Sequence, residues 1–361
     1  MEKMPRWADV VLVPLICLLI AFVFCGLLIW GIGQDPVEAL RIMITGSLGS
    51  TYGFGYTLYY ATNFMFTGLA VSIAFQASLF NIGGEGQATL GGLGVALSCL
   101  LIPWPHWTFA LGGSIIAALV FGGAWALIPA WLQAKRGSHI VITTMMFNFI
   151  SYALMNYLLV NVLRPVGSMD PASARFDKAF NLPKLGDILG LVGIPFSNKN
   201  PANISLLIAL VCAFLVWGLL WHTRLGYAMR AFGKSEKAAV YAGISPVRIA
   251  LYALMLSGGL SGMMAINAVQ GEAHRLLLNS VEGAGFIGIA VALMGRNHPF
   301  GIVLASVLFG FLYEGGSQLA LGTTIPREVI TVLQALVILF TGALPYMVQR
   351  PLEAWFARRP A

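Results

Sequence analysis

Charged side chains are scarce in this chain. Asp, Glu, Lys and Arg make up 10% of its 361 residues, whereas hydrophobic residues make up 58%, and the mean hydropathy is +0.82. A soluble fold needs more polar surface than this to cover its core. The composition excludes a soluble globular protein and predicts an all-α protein that crosses a membrane several times, because helices satisfy their own backbone hydrogen bonds in lipid.

Groups that could perform catalysis or bind a metal are also few. No CxxC motif and no Cys/His cluster occurs, so neither a disulfide framework nor a zinc site is indicated. The five histidines are scattered at loop or span ends and suggest no catalytic triad. We therefore expect no metal, no cofactor and no enzymatic activity in this chain. All four cysteines lie within apolar runs and are expected to be buried thiols: Cys17, Cys25, Cys99 and Cys212.

One short stretch imitates a nucleotide site. Gly233-Lys234-Ser235 ends like a phosphate-binding loop, but Ala228 stands where that motif requires its first glycine. The motif also needs a preceding strand, and here an apolar run comes before it. We reject a nucleotide site at this position.

Long apolar runs predict about ten membrane crossings. The first run, 10–32, has 23 uncharged residues, enough to cross about 30 Å of hydrocarbon at roughly 1.5 Å per residue. It ends in Leu28-Ile29-Trp30 rather than in a small-residue cleavage site, so we interpret it as a retained span. The predicted crossings are 10–32, 56–80, 88–102, 107–134, 140–162, 204–221, 249–270, 284–295, 299–320 and 329–348.

The distribution of basic residues predicts the orientation. If the N-terminus starts inside, 13 of the 21 Lys and Arg residues fall in inner segments, as the positive-inside rule expects. Both termini are then cytoplasmic, 163–203 is an outer loop and 222–248 is an inner loop of one permease domain, 1–361. The net charge of +7 is explained by this topology, without a nucleic-acid partner.

Two crossings are unusually short and rich in glycine. They are 88–102 and 284–295, the third and the eighth of ten, which hold corresponding places in two halves of five. An odd number of crossings per half would invert the second half relative to the first. Paired short segments in inverted halves indicate a solute path near the membrane midplane. The alternative is that the glycines only permit close helix packing.

Polar residues beside these short crossings are candidates to line a solute path. A carboxylate at membrane depth costs about 2.5 kcal/mol or more, so it should face protein, water or a helix end. Glu85 could instead lie at the inner membrane interface and meet water there. An intramembrane asparagine or glutamine is also commonly a helix-to-helix hydrogen bond. The candidate path residues are Asn81, Glu85, Gln87, Asn148 and Phe286.

The inner loop 222–248 is basic and has helical composition. Two short helices are predicted, Gly226–Phe232 and Ser235–Tyr241, with Gly243 and Pro246 ending the second. A secondary transporter would need ion-coupling acids within the membrane, where Glu85 and Glu314 are the only candidates. An ATP-driven permease instead needs an inner surface that receives force from a separate ATPase, and this loop supplies one. Its candidate coupling residues are Arg224, Gly226, Arg230, Gly233, Ser235, Ala238, Ala239 and Gly243.

At this loop the sequence resembles a known family. The stretch TRLGYAMRAFGKSEKAAVYAGISPVRIALYALMLSGGLSGMMA is similar to the coupling region of bacterial ABC importer permeases of the ribose and branched-chain amino acid transport group. Three further motifs, FNIGGEGQ at 80–87, RGSHIVITTMMFNFIS at 136–151 and GAGFIGIAVALMGRNHPFG at 283–301, narrow the resemblance to the nucleoside and simple-sugar branch. The resemblance covers roughly 55–320; Gly84 departs from it, since alanine is more usual there.

The resemblance implies a fold, partners and a substrate class. It implies a ten-helix permease fold similar to that of the cobalamin importer, in the plasma (inner) membrane of a bacterium. The partners implied are a second permease, identical or homologous, an ABC ATPase that hydrolyses ATP, and an extracytoplasmic substrate-binding protein, besides membrane lipid. FNIGGEGQ is similar to the form in permeases served by basic membrane lipoproteins that carry purine nucleosides. A simple sugar such as ribose or galactose is the alternative substrate, and a secondary transporter is the distant one.

Overall fold

The described part of the chain is built almost entirely from α-helices. The computed structural model describes residues 12–323 and 327–357, together with Pro5 and Ile325. Within these residues the only β pairing consists of two isolated bridges, Ala172–Leu277 and Lys184–Asn203. The helices are α1 Val13–Gly31, α2 Pro36–Leu48, α3 Thr51–Gln76, α4 Gly84–Leu101, α5 Trp107–Arg136, α6 Ile140–Asn161, α7 Leu185–Gly190, α8 Ser205–His222, α9 Arg224–Lys234, α10 Glu236–Tyr241, α11 Pro246–Ala265, α12 Ala284–Met294, α13 Pro299–Gly322, α14 Arg327–Ala343 and α15 Pro345–Ala357. The all-α prediction is confirmed for this part of the chain.

Seven helical segments among the described residues are long and apolar enough to cross a membrane. They are α1, α3, α5, α6, α8, α13 and the continuous segment Pro246–Ala273, which contains α11. Each of the ten predicted runs contains a helix, but α4, α12 and α14 are not among the seven. With 11 residues, α12 spans only about 16 Å. A multi-pass membrane protein is therefore supported, and the number of crossings stays a prediction.

Four described helices, α2, α7, α9 and α10, lie outside every predicted run, and α15 begins within the last run and extends beyond it. Helix α2 begins after Asp35, whose side chain accepts a hydrogen bond from the N–H of Val37 at 2.8 Å, with Pro36 at the first helical position. An acidic N-cap followed by proline is a helix-start signal, but α2 is too polar to appear in a search for apolar runs. Helix α15 follows α14 at the end of the described chain.

The chain divides into two compact units, residues 1–57 with 311–361, and residues 58–310. In the first unit α1 packs against α14 and α15, and the rings of Phe24 and Phe340 stack at 4.7 Å. Cys17 and Cys25 are buried here, and Cys99 and Cys212 are buried in the second unit. The prediction that all four cysteines are buried thiols is confirmed.

Helix α4 is the buried centre of the second unit. It packs against α5, α6, α11 and α12, and nearly all of its residues are buried. A methyl group on Gly91 would lie 2.3 Å from the Cα of Gly262 on α11, and one on Gly122 of α5 would lie 2.3 Å from the carbonyl oxygen of Gly258. Only glycine permits such close contact between helix backbones. Close packing, the alternative weighed for the glycines, therefore accounts for Gly91 of α4.

Candidate functional site

The carboxylate of Glu85 is the centre of the candidate site. Glu85 lies in the first turn of α4 and is 2% exposed. Its Oε1 accepts hydrogen bonds from the Tyr152 hydroxyl at 3.0 Å and from the N–H of Gly283 at 2.8 Å. Its Oε2 accepts one from the N–H of Gly285 at 2.8 Å. Glu85 therefore faces protein donors, one of the environments expected for an acid at membrane depth.

Two of these donors belong to the N-terminus of α12. Gly283 is the N-cap residue, with a left-handed φ of 81°, and it precedes the first turn that contains Gly285. The N–H groups of a first turn have no partner within their own helix and carry partial positive charge, so a carboxylate stabilises them. A methyl group on Gly285 would lie 2.3 Å from the backbone nitrogen of Glu85. The two short segments singled out in the sequence thus meet at their N-terminal ends.

A cavity of about 710 Å³ lies against Glu85. Most of its polar lining groups are hydroxyls, amides and carboxylates, and no Lys or Arg is among the described residues that line it. Burial raises the pKa of the Glu282 carboxyl above its ordinary value. Such a cavity suits an uncharged solute with many hydrogen-bonding groups and disfavours an anion. The lining residues are Glu85, Thr89, Tyr152, Ala153, Asn156, Leu278, Asn279, Val281, Glu282 and Gly283.

Two other predicted path residues, Asn81 and Gln87, pair with each other. The Asn81 amide nitrogen donates to Gln87 Oε1 at 2.9 Å, and the Gln87 amide nitrogen donates back to Asn81 Oδ1 at 3.1 Å. Asn81 also donates to the hydroxyl of Ser257 on α11 and accepts from the N–H of Gly83, both at 2.9 Å. Both side chains are buried and do not line the cavity. They fix the turn that leads into α4.

Asn148 and Phe286 also lie away from the cavity lining. Asn148 on α6 accepts from the N–H of Gly86 at 2.9 Å and donates to the carbonyl oxygen of Ile82 at 3.0 Å. It therefore supplies hydrogen bonds to the backbone just before α4 and to the first turn of α4. The Phe286 side chain is 42% exposed on the surface of α12. Of the five predicted path residues, Glu85 alone lines the cavity. Tyr152, Asn156, Asn279 and Glu282 line it too, and none of these four was predicted as a path residue.

A π-helical turn lies between α11 and the cavity wall and contacts the predicted outer loop, 163–203. Helix α11 continues into a π-helix, Ile266–Ala273, a form often found at functional sites. Within it, Asn267 donates to Asn63 Oδ1 and accepts from Asn203, each at 2.8 Å. Gln270 donates to the carbonyl oxygen of Phe180 in the outer loop at 3.0 Å.

The outer loop 163–203 also pairs with the segment that follows the π-helix. The N–H of Ser173 donates to the carbonyl oxygen of Leu276 at 3.0 Å, and the N–H of Phe176 donates to that of His274 at 2.8 Å. Burial lowers the pKa of His274, and the nearby charges of Lys184 and Arg175 lower it further, against the raising effect of its hydrogen bond to the Gln270 carbonyl. The outer loop is thus bonded to the chain that runs on to Leu278 and Glu282 in the cavity wall.

The basic loop 222–248, predicted to lie on the inner side, forms the two helices α9 and α10. Thr223 caps α9 by accepting from the N–H of Gly226 at 3.0 Å, and Ser235 caps α10 by accepting from the N–H of Ala238 at 3.3 Å. Gly243 ends this segment with a left-handed φ of 79°. The two predicted short helices are confirmed, although α9 is longer than predicted at both ends.

The predicted coupling residues differ in burial and fall into three groups. Gly226 and Ala239 are buried, and Ala239 is 2% exposed, so its methyl group packs inside this chain. Arg230 and Gly233 are partly buried. The exposed members are Arg224, Ser235, Ala238 and Gly243. The sequence pattern did not single out Tyr241, whose side chain is 95% exposed at the end of α10.

The comparisons with known proteins agree that this chain is similar to permease components of transport systems. A family model described as branched-chain amino acid transport system / permease component matches residues 53–342. The chain is 33% identical to the glucose ABC transporter permease protein of Haloferax volcanii over 91% of this chain and 86% of that protein. It is 29% identical to the guanosine ABC transporter permease protein of Bacillus subtilis, over 92% and 93%, and 28% identical to a nucleoside ABC transporter permease protein of Lactococcus lactis, over 91% and 90%. No solved structure matches the chain.

Proposed function

Because this chain belongs to the family of permease components of branched-chain amino acid transport systems, we propose that it forms the membrane pathway of an ATP-driven importer of nucleosides. The observation that carries this proposal is the family match over 53–342, together with guanosine and nucleoside permeases among relatives that align over more than nine tenths of the chain. As a permease component the chain is not itself catalytic. A separate ABC ATPase supplies the hydrolysis of ATP.

The substrate class rests on the relatives and on the cavity. A nucleoside offers a flat base and several sugar hydroxyls. The cavity offers the Tyr152 ring and hydroxyl, two amides and two carboxylates. A simple sugar is the second candidate, because the glucose permease of Haloferax volcanii has 33% identity to this chain.

Competition for uptake separates the two candidates. Cells that express this chain with its ATPase and binding protein, in a host lacking other nucleoside importers, are expected to accumulate labelled guanosine. Excess unlabelled adenosine or inosine should compete, whereas excess glucose, ribose or galactose should not. Uptake of labelled glucose, ribose or galactose without uptake of labelled guanosine would assign the importer to sugars instead.

We place the solute path at the Glu85 cavity. Ala153 and Asn156 line this cavity and are exposed; they lie four and seven residues after the exposed Phe149, on one face of α6. Polar groups that open onto a lipid-facing helix surface are costly. A second permease, identical or homologous, packed on this face would cover the cavity and enclose the path. In this arrangement Asn81, Gln87 and Asn148 support the backbone around the path rather than contact the solute.

The arrangement of α4 and α12 favours ten crossings in two inverted five-helix halves, similar to the cobalamin importer. Discontinuous helices whose N-termini meet near the midplane are a feature of inverted-repeat transporters. In the orientation set by the basic residues, α4 runs outward and α12 runs inward, with both termini of the chain cytoplasmic in the bacterial plasma membrane. The N-terminal ends of α4 and α12 would then meet within the membrane at Glu85.

We propose that α9 and α10, within 222–248, dock on the ATPase. The docking surface consists of Arg224, Ala238 and Tyr241, which are exposed on this basic loop. Ala239 holds α10 against its own chain. An exposed tyrosine is a common anchor at protein interfaces.

The outer loop 163–203 is proposed to seat the substrate-binding protein. It carries side chains that are apolar and almost fully exposed, among them Val166, Met169 and Leu191. Its backbone is hydrogen-bonded to the chain that borders the cavity. A partner that pulled on this loop would act directly on the cavity wall.

A further inference from the structure

The end of α9 is in direct backbone contact with the turn between α3 and α4. A methyl group on Gly233 would lie 2.2 Å from the carbonyl oxygen of Gln76 and 3.1 Å from the backbone nitrogen of Ser78. The Ser78 hydroxyl donates to the carbonyl oxygen of Gly233 at 2.6 Å. Ser78 also has a left-handed φ of 53°, uncommon for a residue other than glycine, asparagine or aspartate. The C-terminal end of α9 therefore packs against a tightly constrained turn.

That turn leads to both ends of α12. Only six residues separate Ser78 from Glu85, and the Asn81–Gln87 pair fixes this stretch. The Glu85 carboxylate binds the N-terminal N–H groups of α12. On the other side of Ser78, the Gln76 amide donates to the carbonyl oxygen of Asn297, just beyond the C-terminal end of α12, at 3.2 Å. A displacement at Ser78 would thus reach α12 at its two ends.

The same region contains buried polar atoms that are unpaired within the described part of the chain. They are Nε of Arg230, on α9, and Oδ1 of Asn297. Trp221 stands beside both segments, since the Arg230 guanidinium lies 5.8 Å from its ring centre and the His298 ring lies 5.0 Å from it. Leaving a buried polar atom unpaired is unfavourable. The unpaired atoms of Arg230 and Asn297 lie on both sides of Trp221. They favour a second arrangement of α9 and the segment after α12 in which both atoms form hydrogen bonds.

We propose that Gly233 and Ser78 form the joint through which α9 and α10 act on α4 and α12. This inference rests on the proposed function, because it assumes that α9 and α10 receive force from the ATPase. The joint requires that the backbone at Gly233 touch the backbone at Gln76 and that the Ser78 hydroxyl stay hydrogen-bonded to Gly233. With both contacts in place, a shift of α9 moves the turn before α4, and α9 does not slide along that turn. Both are positioning residues, and neither lines the cavity.

The test uses the full complex of permease, ATPase and binding protein in proteoliposomes. Gly233→Ala forces a methyl group against the Gln76 carbonyl, while Gly218→Ala on α8 is the matched control, because no atom lies within 4 Å of a methyl group there. In the assembled complex, Gly233→Ala should retain ATP hydrolysis but lower the substrate transported per ATP by roughly 5- to 150-fold, the range of coupling between distant sites. Gly218→Ala should keep the wild-type ratio.

A second variant covers the case in which Gly233→Ala does not assemble. Ser78→Gly removes the hydroxyl, while glycine adopts the left-handed conformation without strain. It should also lower transport per ATP without abolishing assembly. A wild-type ratio in the assembled Gly233→Ala complex, or in Ser78→Gly if Gly233→Ala cannot be assembled, would overturn the joint.

Tyr241→Asp distinguishes failure of the joint from failure of the docking proposal. If α10 docks on the ATPase, this variant should lose the ATPase subunit on purification, whereas Ser78→Gly should keep it. Full ATPase retention by Tyr241→Asp would contradict the docking surface, and the transport ratio of Ser78→Gly would still report on the joint. ATPase loss by Tyr241→Asp, combined with a wild-type ratio in the joint variants, would contradict the joint alone.

Discussion

Glu85 joins two segments that are almost 200 residues apart in the chain. Its two carboxylate oxygens accept from two backbone N–H groups of the α12 N-terminus and from the Tyr152 hydroxyl. Each oxygen therefore faces at least one N–H donor. A glutamine has a single acceptor oxygen, and its NH₂ group would point at another donor. This geometry favours an anchored charge over a simple hydrogen-bonding role for Glu85.

Glu85→Gln is consequently expected to be nearly as harmful as Glu85→Ala. Each should lower the free energy of unfolding in detergent by about 1–3 kcal/mol, since buried donors lose their acceptor, and each should reduce uptake. Thermal unfolding and uptake of the purified variants are the measurements. Glu38→Gln is the matched control, because Glu38 is exposed and its ion pair with Arg41 lies at the surface, where such a pair contributes little. Stability and uptake of Glu85→Gln equal to wild type would refute the anchored charge.

The sequence located Glu85 but not its partners. The cost of a carboxylate at membrane depth predicted that Glu85 faces protein, water or a helix end, with the inner membrane interface as the alternative. That Tyr152, Gly283 and Gly285 provide the donors depends on how α4, α6 and α12 pack, which no local pattern encodes. Gly285 lies in the short crossing 284–295, already marked as unusual, and Gly283 directly precedes it. Asn81 and Gln87 illustrate the opposite case, since neither residue type nor spacing reveals that the two amides bond each other.

Helices and turns were predictable where caps and breakers mark them. Ser235, Gly243 and Pro246 delimit α10 closely, because their side-chain and backbone preferences act within a few residues. The side of α10 that faces its own chain was not predictable, and Ala239 proved buried while Tyr241 is exposed. The π-helix Ile266–Ala273 was also missed. Its wider turns are held by tertiary bonds such as those of Asn267, rather than by a sequence signal.

The outer loop yields a prediction about the binding protein. Leu191, 88% exposed after α7, should contribute to a docking surface, so Leu191→Asp should weaken docking. Uptake at limiting binding protein should fall roughly five- to thirtyfold, the factor for about 1–2 kcal/mol at a well-packed contact. Saturating binding protein should restore uptake, which serves as the internal control. Unchanged uptake at limiting binding protein would indicate that this part of the loop does not dock.

The whole chain has the composition and helix lengths of a multi-pass membrane protein. Apolar runs indicated where helices lie, because hydrophobic length is the dominant requirement for crossing a bilayer. The runs could not decide whether α4 and α12 cross completely, since these helices are short and are stabilised by packing, glycine contacts and the Glu85 anchor. The family match over 53–342 agrees with the resemblance carried by the coupling loop and the three shorter motifs.

ATP-driven accumulation of a nucleoside by the purified complex tests the proposed function most directly. Proteoliposomes containing this permease, its partner permease and its ATPase, with binding protein outside and ATP at the face that carries the ATPase, should concentrate labelled guanosine above the outside level. Omitting ATP, or inactivating the ATPase, should abolish the accumulation. Guanosine accumulation that continued without ATP hydrolysis would contradict an ABC importer, and ATP-dependent accumulation of glucose but not of any nucleoside would contradict the substrate.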